Sequence, residues 1–313
     1  MNIIIAVKND LHADSIVYFL KNNFVRLSPD ELFKEILISS SKKEEFLNKK
    51  LNIDNNINSV LIRYAFEELN RSDCEETVTQ KFSNEEYGTA IMSLLLEVSQ
   101  SQWYNFPYSE IQADLKPYSL KVALKQKIKV PEFIITNNKD KIKKFASKNN
   151  LVIKAISNAD LAIQDNQITK IPDSKKFKSG YTNHFDINKA QLDKWDNTPI
   201  LLQKLVEKVE EIRVFVIEDK IFSVSTEADN NFVDIRKSEN MYKLFYLKDD
   251  FKSKLLNLMR ELNLKICTFD ILLDKDKTLW LTDINPQGNW LGWNHDVDMA
   301  ISKQIAISIQ ESY

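Results

Sequence analysis

Three oxygen-bearing side chains near the C-terminus have the types and spacing of a site for a hard cation. Asp283 and Asn285 are two residues apart at the end of the apolar run 279–284, and Asp270 lies in a second run, 266–273. Both runs are rich in β-branched and aromatic residues, which predicts two strands joined by a charged turn. Side chains alternate along a strand, so Asp283 and Asn285 share a face. Two carboxylates and a carboxamide favour Mg²⁺, which keeps water ligands and binds substrate phosphates.

The pairing of the two strands sets how close the three side chains lie. If Leu273 pairs with Thr278 across the charged turn, Asp270 is opposite Leu281. Asp270 is then diagonal to Asp283, within reach of a shared ion. We therefore expect the three oxygen ligands to converge on one face of the hairpin.

The composition argues against several other chemistries. Four glycines in 313 residues supply neither a dinucleotide-binding fingerprint nor a Walker A loop. The three histidines show no metal spacing, which argues against zinc hydrolases and catalytic triads. A net charge of −2 argues against a nucleic-acid partner, and no apolar run reaches the roughly 18 residues of a membrane helix. Two cysteines and the absence of a targeting signal predict a cytoplasmic protein.

Cationic side chains inside predicted strands are the second group of candidates. Lys154 lies in the apolar run 151–156, where it needs an anion, either a protein carboxylate or a ligand phosphate. Glu211 and Arg213 share a face of the run 211–218. Arg213 offers a planar fork to a phosphate or carboxylate ligand, and a cross-strand ion pair on the solvent side is the alternative.

The elements that must position these residues alternate between strand and helix, which indicates α/β layers. A break near 110–117 separates an N-terminal unit, in which Arg63 lies in the strand-like run 59–64 and could mark a strand end. The Ser83–Glu86 pair matches a capping box and predicts a helix start. The other expected strands are 2–7, 129–136, 151–156, 199–203, 211–218 and 221–226, and the other expected helices are 13–22, 139–148, 251–262 and 297–310.

Taken in order, the candidate residues resemble those of ATP-grasp ligases, and more narrowly the ligases that cyclise graspetide (microviridin-type) precursor peptides. The resemblance implies an α/β protein with the ATP-grasp fold. An N-terminal pre-ATP-grasp domain is expected over 1–115, a central subdomain over 116–200 and a C-terminal subdomain with the metal site over 201–313. The segments that carry the resemblance are 113–116, 130–137, 211–214, 234–236 and 283–290.

The resemblance assigns six positions to the nucleotide, Arg213 and five others. Lys116 and Lys154 would hold the phosphates of ATP. Gln203 and the backbone at Leu205 would line the adenine pocket between the two subdomains. Glu211 would bind the ribose hydroxyls.

Four further positions, together with Arg213, would carry the reaction by the same resemblance. Arg213 would contact the phosphates, and Arg236 would lie near the acceptor carboxylate or the acyl phosphate. The Mg²⁺ ions would be held by Asp270, Asp283 and Asn285.

The implied activity is that of an ADP-forming ligase. It would activate Asp or Glu side chains of a ribosomal precursor peptide as acyl phosphates and form macrocyclic ester or amide links. The implied partners are the leader and core of that precursor and a second copy in a homodimer, without nucleic acid or membrane. One alternative is a ligase for free amino acids or protein C-terminal tails. Another, disfavoured because all three metal positions are filled, is a non-catalytic ATP-binding scaffold.

Overall fold

A computed structural model gives the structure of most of the chain. Arg236 lies outside the residues that it describes, and the other candidate site residues lie within them. None of the described helices is both long enough and apolar enough to cross a bilayer. The described residues are 1–28, 31, 46–48, 51–52, 57–63, 78–156, 183–187, 198–228 and 242–311.

The N-terminal part contains a parallel three-stranded sheet in the order β2-β1-β5. Strand β1 is buried along its whole length, because it is the central strand and its apolar side chains pack on both faces. Asp10 caps helix α1 by accepting the backbone N–H groups of His12 and Ala13 at 2.8 and 3.0 Å. The elements are β1 (Asn2–Ala6), α1 (Leu11–Phe19), β2 (Phe24–Leu27), β3 (Phe46–Asn48), β4 (Leu51–Asn52), β5 (Ser59–Arg63) and α2 (Val78–Leu95).

Two short helices lead into an antiparallel four-stranded sheet in the order β6-β9-β7-β8. Helix α5 covers one face of this sheet through Ile142 and Phe145, which pack with Leu151, Ile153 and Leu202. Strand β9 pairs with both β6 and β7. The elements are α3 (Pro107–Asp114), α4 (Lys116–Lys125), β6 (Phe133–Thr136), α5 (Lys139–Ala146), β7 (Leu151–Lys154), β8 (Asn183–Phe185) and β9 (Ile200–Lys204).

The C-terminal part is an antiparallel five-stranded sheet in the order β12-β11-β10-β13-β14. Its elements are β10 (Lys208–Ile217), β11 (Lys220–Glu227), β12 (Lys243–Leu244), α6 (Asp249–Glu261), β13 (Ile266–Asp274), β14 (Leu279–Asn285) and α7 (His295–Glu311).

The two faces of the five-stranded sheet differ, and the difference leaves room for a site. One face is apolar and packs against α6, with Val214 and Val216 among the buried side chains. On the other face, Phe215 and Ile217 pack in the cluster that contains α7 and α1. Side chains alternate along β10, so Glu211 and Arg213 lie on this same second face, beyond its apolar end.

The register of β13 and β14 differs from the expected one. Leu273 pairs with Leu279 and not with Thr278, and Asp270 is directly opposite Asp283. The change has two causes. The Asp274 carboxylate accepts N–H groups of the turn, and a bulge between Asp270 and Ile271 shifts the pairing. The two carboxylates are therefore nearer neighbours than a diagonal pair.

Candidate active site

Two of the three candidate metal ligands lie in one row across the five-stranded sheet. Asp270 on β13 is opposite Asp283 on β14 and also opposite Arg213 on β10. Asn285 follows Asp283 by two residues and shares its face. Within the described part of the chain, no three His, Cys, Asp or Glu side chains cluster as metal ligands. Two carboxylates and an amide supply hard oxygen ligands, which fit Mg²⁺; its remaining ligands are commonly water and phosphate oxygens.

Asn285 already has hydrogen-bond partners. Its Oδ1 accepts the backbone N–H groups of Gln287 and Gly288, both at 3.1 Å. This interaction holds the turn after β14 against the sheet. Gly288 has φ +54° and a Cβ there would lie 2.8 Å from Thr268 Oγ1, so only glycine fits this turn. The role of Asn285 as a metal ligand stays a prediction.

Two lysines from other elements approach β14, the strand that carries Asp283 and Asn285. Lys116, at the start of α4, places its Nζ 3.4 Å from Asp283 Oδ1. Lys154, at the end of β7, donates to the carbonyl of Thr282 at 3.0 Å. Burial opposes ionisation of Asp283, but the charges of Lys116 and Lys154, together with hydrogen bonds from Lys116 and the Ile284 N–H, hold the pKa of that carboxyl below its ordinary value. The structure therefore brings both predicted phosphate-binding lysines beside the predicted metal ligands.

Arg213 is positioned at the same point of the sheet. Its Nε lies 3.8 Å from Asp270 Oδ1, and its guanidinium carbon is 5.9 Å from the ring centres of both Tyr242 and Trp293. Among the described residues the buried Nε has no hydrogen-bond partner. The guanidinium therefore has donors available for an anionic ligand at this face. The ion pair that the sequence left as an alternative is present, but it is long.

The predicted adenine pocket contains an unsatisfied buried amide. Gln203, on β9, is 2% exposed, and its Nε2 has no hydrogen-bond partner in the described part of the chain. A buried amide without a partner costs free energy, so an acceptor from a bound base would complete this site. The N–H of Leu205 is already donated to Asn150 O at 2.7 Å, which leaves its carbonyl for a ligand.

Glu211 is buried and pairs with Lys208 three residues earlier on β10. Sequence reasoning did not identify Lys208, because it lies in a charged stretch before the expected strand 211–218 and not inside an apolar run as Lys154 does. The pair compensates the charge of a carboxylate that is 8% exposed. The predicted role of Glu211 toward ribose hydroxyls is therefore compatible with its position near Arg213 on the same strand face.

Comparison with known proteins identifies the domain. Residues 113–309 match the RimK-like ATP-grasp domain, which is more than half of the chain. The chain belongs to this family. No protein of curated function matches the sequence.

Solved structures of ATP-grasp enzymes have the same fold along almost the whole length of this chain. The macrocyclase MdnC from Microcystis aeruginosa MRC, bound to its precursor peptide MdnA, has a TM-score of 0.78 at 17% identity, with 99% of each chain covered. The ATP-grasp ligase PsnB, complexed with a minimal precursor, has a TM-score of 0.77 at 15% identity and covers 100% of this chain and 99% of PsnB. D-alanine–D-alanine ligase from Bacillus anthracis has a lower TM-score of 0.58 at 13% identity, with 100% and 97% covered. The ATP-grasp fold expected from the sequence is confirmed.

Arg63 is the last residue of β5, and it is also a buried link between the N-terminal sheet and the candidate site. It is 3% exposed, and its Nε donates to Asp10 Oδ2 at 3.0 Å. Its two terminal nitrogens donate to the carbonyls of Gln287 and Gly288 at 2.6 and 2.9 Å and to the Asn289 side chain at 3.2 Å. The turn held by Asn285 is therefore held from its other side by Arg63.

Glu110 is a half-buried acid that the sequence did not identify. Burial raises the pKa of Glu110 to about 8, and the Asp114 charge acts in the same direction. Hydrogen bonds from Asn105 and Gln287 and the charge of Arg63 lower the pKa of Glu110, but by less than burial raises it. The Gln287 side chain donates to Glu110, and the Gln287 carbonyl accepts from Arg63. Glu110 therefore belongs to the same contact between the N-terminal part and the turn after β14.

The raised pKa of Glu110 predicts a pH dependence of stability. The folded state binds more protons than the unfolded state between the ordinary pKa of 4.5 and the folded value of about 8. The free energy of unfolding should therefore fall as the pH rises through this window, by about 1.4 kcal/mol per unit of pKa difference. Urea titrations from pH 5 to 9 would measure it. Glu110→Gln, which cannot ionise, should flatten the profile; an unchanged slope would contradict the assignment.

Proposed function

We propose that this protein is an ATP-dependent peptide macrocyclase. It would activate Asp or Glu side chains of a precursor peptide and join them to hydroxyl or amine side chains. The observation that carries the proposal is the row of Arg213, Asp270 and Asp283 across adjacent strands, with Lys116 and Lys154 converging on it. Such a row neutralises the anions that must meet in carboxylate activation.

The reaction requires a carboxylate to approach the γ-phosphate of ATP, and the two repel each other. Lys116 and Lys154 would hold the phosphates, and Arg213 would offer its free guanidinium donors to the transferred phosphoryl group. Mg²⁺ held by Asp270, Asp283 and Asn285 would neutralise further phosphate charge. The carboxylate oxygen displaces ADP to give an acyl phosphate, and the hydroxyl or amine then displaces phosphate, losing its proton. Charge neutralisation and positioning suffice, so no protein nucleophile is required.

The proposal of a peptide substrate, rather than a free amino acid, is supported by the TM-scores of the solved structures. MdnC and PsnB bind precursor peptides and give TM-scores of 0.78 and 0.77, against 0.58 for D-alanine–D-alanine ligase. PsnB has also been observed with its minimal precursor, Mg and ADP. A ligase for free amino acids is the second candidate. Arg236, proposed to lie near the acceptor carboxylate, would serve either reaction.

Finer features belong to the same proposal. We propose ATP and Mg²⁺ as the cofactors, a homodimer as the assembly and the cytoplasm as the location. We also place the end of the central subdomain at Lys204, four residues beyond the boundary expected from the sequence. The reason is that β9, which ends there, pairs with β6 and β7.

The test is an ATPase assay with Mg²⁺, with and without a precursor peptide encoded beside this gene, followed by mass spectrometry of the peptide. Precursor-dependent ATP use with loss of one water, about 18 Da per ring, is the expected result of condensation. Turnover with free amino acids and an unchanged peptide mass would favour the second candidate. ATP binding without turnover of either substrate would contradict both.

The adenine pocket can be tested through Gln203. Gln203→Leu removes a buried amide nitrogen that has no partner in the described residues, so the ligand-free protein should gain about 1 kcal/mol or remain unchanged in stability. ATP affinity should fall about tenfold, because a hydrogen bond to the base would be lost. Calorimetric titration with ATP and thermal unfolding without it would measure the two effects. Loss of ligand-free stability with unchanged ATP affinity would remove Gln203 from the pocket.

A further inference from the structure

A groove runs along the free edge of the four-stranded sheet, and none of the candidate active-site residues lines it. Strand β6 forms its floor, α4 lies on one side and α5 on the other. The groove encloses about 710 Å³. We call it the edge groove; it is lined by Pro117, Lys121, Glu132, Phe133, Ile134, Ile135, Thr136, Lys141, Lys144, Phe145, Lys148 and Asn149.

The backbone of β6 offers hydrogen bonds along this groove. Lys204 donates its N–H to Glu132 O at 2.7 Å, so the hydrogen-bonded pairs with β9 involve Glu132, Ile134 and Thr136. The backbone groups of Phe133 and Ile135 therefore point away from β9. Within the described residues β6 has β9 as its sole strand partner. An extended peptide could add to this edge as a fifth strand.

The charges along the groove select an acidic peptide. Lys121, Lys141, Lys144 and Lys148 line it, and none of them forms an ion pair with an acid in the described residues. Glu132 is the one acidic side chain in the lining. Lysines on a free edge repel a second copy of the same edge and attract a strand of opposite charge. Half-exposed Ile134 and Ile135 provide apolar contact for the side chains of such a strand.

We propose that the edge groove binds an extended acidic segment of the precursor peptide by strand addition to β6. The five residues 132–136 that form the floor of the groove span about 17 Å as an extended strand. A peptide segment of about five residues would therefore fit along them. Pro117, in the lining, directly follows Lys116 of the active site. A segment held in the groove would therefore keep the rest of the peptide close to the reacting groups and raise its local concentration. The identity of the peptide as a precursor rests on the proposed function; the binding of an acidic strand does not.

The test uses a fluorescein-labelled peptide of alternating Glu and Val residues, without ATP, and reads fluorescence anisotropy. Lys141→Glu/Lys144→Glu should weaken binding at least tenfold, and so should Ile135→Pro, whose lost N–H points away from β9. The charge-matched control Lys125→Glu/Lys303→Glu, on exposed positions outside the groove, should remain within about twofold of the unaltered protein. Circular dichroism would verify that each variant is folded.

Three results would overturn the proposal: no binding of the Glu/Val peptide, equal loss in the control double variant, or equal binding of a peptide N-methylated at alternate residues. The last peptide cannot complete a strand. With a precursor in hand, the Lys141→Glu/Lys144→Glu variant should raise KM at least tenfold and leave kcat unchanged. The anisotropy assay contains no ATP and does not depend on turnover. If the ligase assay alone failed, the proposed function would be wrong, but the proposal that the edge groove binds an acidic strand would stand.

Discussion

Asp270→Asn should lower kcat at least about 100-fold while the protein stays folded, because removal of one transition-state charge partner commonly costs this much. Asp270 lies at the centre of the row, opposite both Arg213 and Asp283. The neutral amide keeps the size of the side chain but weakens any Mg²⁺ site and releases Arg213 from its ion partner. The Asp270 side chain is 44% exposed, so the free energy of unfolding should change by less than about 1 kcal/mol.

The measurement is kcat as a function of Mg²⁺ concentration, together with urea unfolding. Asp276→Asn is the matched control: it lies in the exposed turn of the same hairpin, and its backbone N–H, not its side chain, contacts Asp274. The control should keep full activity. An Asp270→Asn enzyme that turns over at the normal rate and with the normal Mg²⁺ requirement would remove Asp270 from the metal site.

The sequence singled out Lys154 and Asp283 because their residue types conflict with the local apolar pattern; their roles toward a ligand stay predictions. An ammonium at Lys154 or a carboxylate at Asp283 has no place in an apolar strand unless a partner compensates it. Period-two alternation then placed Glu211 with Arg213, and Asp283 with Asn285, on shared faces. These inferences use only local geometry, which is why they could be made without coordinates.

Features that depend on turns were predicted less well. The Asp270–Asp283 register was wrong because the Asp274 carboxylate sets the turn and a bulge adds a residue to β14, and neither has a distinct sequence pattern. The helix expected to start at the Ser83–Glu86 capping box begins earlier, at Val78. A capping pattern in a polar stretch does not exclude helix on its N-terminal side.

Contacts between distant segments could not be predicted at all. Arg63 and Gln287 are 224 residues apart, and nothing in either local sequence specifies their hydrogen bond. The same holds for Glu110 with Gln287. An arginine in an apolar strand was a usable signal, but its partner depends on how the N-terminal sheet docks on the ATP-grasp part. Docking of this kind is tertiary information.

Arg63→Met should destabilise the protein by about 3–5 kcal/mol, because it leaves a buried carboxylate and two buried carbonyls without their donor. Asp10 is the carboxylate. Burial opposes its ionisation, but the His12 hydrogen bond and the Arg63 charge hold the pKa of Asp10 well below its usual range. The carbonyls are those of Gln287 and Gly288. Arg26→Met is the control, since Arg26 lies in the neighbouring part of the same sheet but pairs with an exposed Asp14.

A double-mutant cycle separates the ion pair from the other contacts of Arg63. Asp10→Asn keeps the cap of α1, because the asparagine oxygen accepts the same backbone N–H groups, and it removes both the charge and the oxygen that accepts from Arg63 Nε. In the Asp10→Asn background, Arg63→Met should cost about 1–3 kcal/mol less than in the unaltered protein, measured by urea unfolding at pH 7. Equal costs in the two backgrounds would show that the carbonyls of the turn, and not Asp10, are what Arg63 stabilises. Because that turn also holds Asn285, the folded Arg63→Met enzyme should require more Mg²⁺ for half-maximal rate, an effect that Arg26→Met should not share.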